Sequence, residues 1–170
     1  MTTISALHKS PELRRETLRI AGERVETREV IEVTYPYTGE VIGTVGKATL
    51  EDVRRAYRIA RSYQSKLTRY ERYQILMRAG AIIASRLDEI SRLITLESGL
   101  CRKDSLYEVG RASDVLLFAA NQALVDDGQV FSCDLTHRGK SRKVYTLREP
   151  LQGAITAITP FNHPLNQVIH

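Results

Sequence analysis

Cysteine is scarce in this chain: 170 residues contain two, Cys101 and Cys133. So few, so far apart, exclude a disulfide framework and give no metal-ligand spacing, so no metal site is expected. A reduced, cytoplasmic setting is the default. Long apolar runs are also missing. No segment approaches the ~20 residues that a membrane-crossing helix needs, and the polar N-terminus has no secretory h-region. No membrane partner is expected. The chain has no Gly-x-Gly-x-x-Gly, so the common dinucleotide fingerprint is absent. There is no internal repeat and no low-complexity tract.

Charge of either sign is plentiful. Lys+Arg of 25 against Asp+Glu of 20 leaves +5, but the signs alternate along helix faces. That pattern marks solvated helices with i,i+4 pairs rather than a nucleic-acid footprint. Arg54, Arg55, Arg58 and Arg61 read as such a face. The rival reading is a non-catalytic interaction module, its basic helices binding nucleic acid or an acidic partner, with affinity that falls steeply with salt. At 42% hydrophobic the chain can bury one core.

Residues Met1 to Glu12 read as a polar, irregular arm. Thr17–Ile20 and Val30–Val33 alternate as strands with Ala21-Gly22-Glu23 as the turn between them. Tyr35–Glu40 is a turn and Val41–Val45 another short strand, which completes a small antiparallel element. Thr49 starts a helix with Asp52 at N3; Val53, Ala56, Tyr57, Ala60 and Tyr63 should be its buried stripe. Thr68-x-x-Glu71 is a capping box for a second helix, with Tyr73, Leu76, Ala79 and Ile83 on its apolar face. Asp88 opens a third, which Gly99 ends. A fourth runs from about Asp104 to Val125. After Asp126-Asp127-Gly128 the period shortens: Gln129–Ser132 and Val144–Leu147 form a hairpin around His137–Lys140.

The last twenty residues hold the densest signal. A β-branched apolar run, Ala154–Ile158, stops at Pro160 and presents Phe161-Asn162-His163 before Pro164. Apolar on both faces, the run suits a buried parallel strand. Chemistry in open α/β sheets sits beyond the carboxyl ends of strands. Pro164 suits a first helical position. Asn162 therefore stands at a strand-to-helix crossing, where its amide can donate to an oxyanion or merely cap the following helix.

These residues resemble the aldehyde dehydrogenase superfamily. The resemblance rests on Arg148-Glu149-Pro150-Leu151 and Gly153…Ile158-Thr159-Pro160-Phe161-Asn162-His163-Pro164, with Tyr35-Pro36-Tyr37-Thr38-Gly39-Glu40, Glu97-Ser98-Gly99 and Glu108-Val109-Gly110-Arg111-Ala112 upstream in the same order. It implies an α/β fold, the N-terminal part of the aldehyde dehydrogenase fold: a helical layer, the first strand of a Rossmann-like parallel sheet and a protruding oligomerisation hairpin. The implied divisions are 1–128 for the N-terminal part of the NAD(P)-binding domain, 129–148 for the hairpin and 149–170 for the first strand and helix start. The resemblance makes Asn162 the oxyanion-hole donor and sets Ile158, Thr159, Pro160 and Phe161 along NAD or NADP. It does so without a glycine fingerprint, which that family does not use.

Arg111, His163, Gln167 and His170 are implied to face the substrate. On its own, Arg111 reads as an i,i+3 ion pair with Glu108, and His163 as a water-facing cap. Together they favour an anionic aldehyde, phosphonoacetaldehyde first, with lactaldehyde and glyceraldehyde phosphate behind. The family's nucleophilic cysteine and general-base glutamate match neither Cys101 nor Cys133 and are expected beyond His170. These 170 residues alone are expected to be inactive, and the hairpin to join subunits into a dimer or tetramer.

Overall fold

The computed structural model describes residues 13–149, 151 and 153–170. The expected arm, Met1 to Glu12, lies outside them. Three short strands open the described chain: β1 (Arg14–Glu16), β2 (Leu18–Ile20) and β3 (Glu23–Val25). β2 and β3 pair antiparallel, and the turn between them places Ala21 at φ 53° and Gly22 at φ 83°. Two successive left-handed residues match the right-handed twist of a tight hairpin. The turn at Ala21-Gly22 thus leads into β3, not straight to the strand at Val30. One apolar residue in Glu23–Val25 gave no alternation to read.

β4 (Val30–Thr34) and β5 (Val41–Gly46) pair antiparallel, and β1 lies parallel on the other side of β5. The element is therefore mixed, where a purely antiparallel one was expected. Gly43 permits this: a Cβ there would lie 2.6 Å from the Arg14 carbonyl oxygen. The Tyr35–Glu40 turn forms as read, closed by Tyr35 N–H on the Glu40 carbonyl at 2.8 Å.

Four helices follow: α1 (Leu50–Ser62), α2 (Arg69–Ser85), α3 (Leu87–Ser98) and α4 (Arg102–Leu124). Both expected capping boxes are complete, Thr49 with Asp52 and Thr68 with Glu71. Each leaves two otherwise orphaned N–H donors satisfied. Gly99 ends α3 at φ 75°. The core lies where α4 packs on α2 and α3. Val109, Ala112, Leu116 and Ala120 are buried along one stripe of α4, with Ile94 from α3. Small residues at 112 and 120 let the helices approach closely. Beside them Ser91 and Ser105 are fully buried and share a 2.8 Å hydrogen bond, with Thr95 and Arg102 joined to it.

Two expectations about packing fail. The apolar stripe of α1 is not buried: Val53 and Tyr57 each keep 45% of their surface exposed. Among the elements of the described chain α1 meets chiefly β2, which leaves this stripe largely open. The run Ala154–Ile158 is not a strand. Ile155 and Ile158 are 73% and 93% exposed, and no described residue offers the run a ladder partner. A parallel strand exists only by pairing with a distant neighbour, which apolar sequence cannot supply alone.

The hairpin of β6 (Val130–Ser132) and β7 (Lys143–Tyr145) stands on a charged root. Arg69 donates to the Val125 carbonyl and to Asp126, and Arg148 to Asp127. Among the described residues no helix is long and apolar enough to cross a membrane. The chain closes on α5 (Asn166–Ile169), which starts two residues later than Pro164 suggested.

Candidate functional site

The late start of α5 has a cause on α4. Ser105, Val109 and Ala112 recur at helical spacing on its buried stripe, and Glu108 lies at the stripe's edge with 1% of its surface exposed. Its Oε1 accepts a hydrogen bond from Leu165 N–H at 2.9 Å and another from Asn166 N–H at 3.1 Å. These are the first N–H groups of α5, which have no partner inside the helix. Leu165 at the N-cap has no side-chain acceptor to offer, so a carboxylate from a distant helix does the capping.

This removes two of the readings left open by the sequence. Asn162 does not cap the helix. It is exposed, its amide bonds to no described residue, and the helix N–H groups belong to Glu108. Nor does Glu108 pair with Arg111 across one turn. Arg111 is exposed and its guanidinium carbon lies over the Tyr107 ring, 6.0 Å from the centroid. The Glu-x-x-Arg spacing suggested a surface ion pair, but burial of Glu108 separates the two.

His163 is half-buried, not a water-facing cap. Its Nδ1 lies 4.0 Å from Glu108 Oε2, the oxygen not used in capping. That oxygen and Asn166 Oδ1 are enclosed and have no hydrogen-bond donor among the described residues. Gln167 and His170 are exposed on and just after α5. The packing of α5 on α4 thus brings His163 to the turn of α4 that carries Glu108 and Arg111.

The other expected residues stand apart from this cluster. Thr159 is half-buried; Pro160 is exposed, and so are Ile158 and Phe161, at 93% and 79%. Tyr57 Oη and Thr156 Oγ1 hydrogen-bond, tying this extended segment to α1. Cys101 occupies the N-cap position of α4 and its thiol donates to Asp104 Oδ2 at 3.2 Å, a structural role. Cys133 is also a free thiol, at the base of the hairpin tip. Among the described residues no three His, Cys, Asp or Glu side chains converge as a metal-ligand set.

Sequence reasoning missed Glu108. The signal was available: counting 100° per residue from Val109 puts Glu108 beside the apolar stripe, where a carboxylate must find donors.

Residues 23–170 match the model of the aldehyde dehydrogenase family. The 3-sulfolactaldehyde dehydrogenase of Priestia aryabhattai is 32% identical over 154 residues, covering 90% of this chain and 32% of that protein. A lactaldehyde dehydrogenase of Methanococcus aeolicus is also 32% identical, over 89% of this chain and 31% of its own length. Among solved structures, the NADP-dependent glyceraldehyde-3-phosphate dehydrogenase of Bacillus halodurans C-125, complexed with NADP, superposes with a TM-score of 0.84. It is 30% identical and the match covers 93% of this chain and 34% of that one. The chain spans about a third of the length of the curated relatives it matches.

Proposed function

Because the chain belongs to the aldehyde dehydrogenase family, we propose that its protein oxidises an anionic aldehyde, phosphonoacetaldehyde foremost, to the carboxylic acid with NAD or NADP. The observation that carries this reading is Asn162: an exposed carboxamide free of any capping duty, on a turn anchored to α4 by a buried carboxylate. A cysteine outside this chain attacks the aldehyde carbon, and negative charge gathers on the former carbonyl oxygen. Asn162 donates a hydrogen bond to that oxygen as the charge forms. A neutral, held donor is suited to this; an Asp would repel the charge. One such donor is worth about 3 kcal/mol in the transition state.

Bound NAD(P)+ would supply the acceptor for the hydride that leaves the tetrahedral carbon, and water would then cleave the resulting thioester, releasing the carboxylic acid and the cysteine thiol. Ile158, Pro160 and Phe161 fit such a cofactor, since they offer an uncovered apolar strip to a flat ring system. Thr159 adds a hydroxyl. Arg111 and His163 hold the anionic end of the substrate, with Gln167 and His170 further along the same helical face. A guanidinium grips a phosphonate through two parallel N–H donors. Two of the similar proteins are named for aldehydes of this kind, 3-sulfolactaldehyde and glyceraldehyde-3-phosphate. The hairpin at 129–148 joins copies into a dimer or tetramer, and the protein works in the cytoplasm without nucleic-acid or membrane partners.

Replacing Asn162 with Ala in the full-length protein tests the reading. Turnover should fall at least about a hundredfold, the effect of one lost oxyanion donor, with cofactor binding retained. Unchanged turnover rejects the oxyanion role. Preference for a neutral aliphatic aldehyde over phosphonoacetaldehyde removes the roles of Arg111 and His163.

A further inference from the structure

We infer that Glu108 is a positioning residue for the reaction: its carboxylate, reaching from α4 across to the Asn162–Leu165 turn, holds the oxyanion donor in place. The inference rests on the oxyanion reading of Asn162 and adds a residue to it. The Asn162 side chain, on an exposed turn, has no hydrogen-bond partner among the described residues. Its placement must come from its neighbours. The residues after it are bound to Glu108: Leu165 N–H at 2.9 Å and Asn166 N–H at 3.1 Å, both to Oε1. The residue directly after it, His163, faces the second carboxylate oxygen at 4.0 Å. That oxygen is enclosed and otherwise without a donor among the described residues. Glu108 itself cannot drift, because it is 1% exposed and flanked by Ser105, Val109 and Ala112 of the packed core.

A carboxylate is expensive to bury unless its hydrogen bonds are made. Here the two that Glu108 makes, both through Oε1, go to the chain directly after the proposed donor. Helix α4 is rigid and well packed; the segment 153–165 forms no ladder. Glu108 therefore ties to the packed core a segment that no ladder holds. Misplacing a catalytic group by about 1 Å can cost on the order of a hundredfold in rate.

Reach matters more than charge in this role, and two substitutions separate them. Glu108→Gln keeps the length and one oxygen acceptor. Glu108→Asp keeps the charge but is one methylene short of the two N–H groups. In the full-length protein, Glu108→Asp should lower kcat about a hundredfold, on neutral and anionic aldehydes alike, while Glu108→Gln retains most of it. The amides of Leu165 and Asn166 should exchange faster with solvent deuterium in Glu108→Asp and stay protected in Glu108→Gln. In an Asn162→Ala background, Glu108→Asp should add no further loss in kcat, because the two residues act as one unit.

Unchanged amide exchange in Glu108→Asp overturns the inference, whatever the turnover. So does a loss that multiplies with that of Asn162→Ala, since Glu108 would then be acting elsewhere. The reverse ranking, with Asp active and Gln inactive, overturns it as well. Wild-type kcat in Asn162→Ala alone refutes the oxyanion reading instead, and the exchange result then decides by itself whether Glu108 holds the turn.

Discussion

Gly80 lies in the middle of α2, the helix that packs most extensively on α4. Glycine in a helix interior costs about 1 kcal/mol relative to alanine, because it loses more backbone freedom on folding. The cost persists only where a side chain would not fit, and here one does. A Cβ on Gly80 would meet a single atom, Leu116 Cβ, at 3.6 Å, which is ordinary van der Waals contact. The methyl would also enter a cavity of about 250 Å³ between the helices, lined by Leu76, Met77, Ala84, Ser113 and Leu117 among others. Gly80→Ala should therefore stabilise α2 by about 0.5–1 kcal/mol. A whole-protein unfolding curve is a poor measure for a long chain that need not unfold in one step. Amide exchange within α2 reads the local free energy directly, and should slow about two- to fivefold at the deepest positions. Leu at the same place should reverse the sign, since further carbons would run into Leu116. Faster exchange in the Ala variant would refute the reasoning, and would mean that the α2–α4 spacing is already at its limit.

The remaining predictions concern the hairpin and the helix starts. A Cβ on Gly139 would lie against the Cys133 carbonyl oxygen and 2.8 Å from Asp134 Cα, so Gly139→Ala should break the hairpin tip; if the hairpin joins subunits, light scattering will record smaller particles, and an unchanged mass removes it from the interface. The Thr49 hydroxyl and N–H hold the Asp52 carboxyl below its usual range, and the Thr68 N–H and hydroxyl do the same for Glu71. A folded-state pKa below the unfolded one gives stability that is complete above the unfolded value, near 4, and is lost as pH falls through the folded value. Amides in the first turns of α1 and α2 should lose protection on acidification below about pH 4, and Glu71→Gln, which removes the titrating group, should abolish that dependence in α2. Glu97 runs the other way: burial raises its pKa, with Arg14 only partly offsetting it. Glu97→Gln should then slow amide exchange in α3 relative to the wild type at pH 7 and do little at pH 4, where the native carboxyl is already gaining its proton.

Local signals carried much of the fold, and long-range ones carried little. Capping boxes at Thr49 and Thr68, the stop at Gly99 and the hairpin after Gly128 were legible because each is fixed by residues within a few positions. What failed depended on distant partners. Val53 and Tyr57 have the right spacing for a buried face, yet spacing does not say what lies opposite. Ala154–Ile158 has strand composition, but a strand is a pairing and no pair is present among the described residues. β1 was unreadable because Arg14-Arg15-Glu16 has no apolar residue; it is placed by the close approach that Gly43 allows. At the site, Asn162, His163 and Arg111 were singled out by type and motif. Glu108 was taken for a surface ion-pair partner, because its true partners are backbone N–H groups 57 and 58 residues away.

The hydroxyl cluster between α3 and α4 has a consequence for how specificity can change. Ser91, Thr95, Ser105 and Arg102 satisfy one another only in the present alignment of the two helices. Sliding α4 by a single turn would strand several dry polar groups at once, each costing on the order of 1–3 kcal/mol. The cluster works as a ratchet pawl that fixes the axial position of α4. Residues on the open side of that helix, Tyr107 and Arg111 among them, can then be exchanged for other side chains without disturbing where the backbone stands. On the roles proposed for Arg111 and Asn162, a lineage could in this way retune which aldehyde is admitted while leaving the oxyanion donor's support untouched.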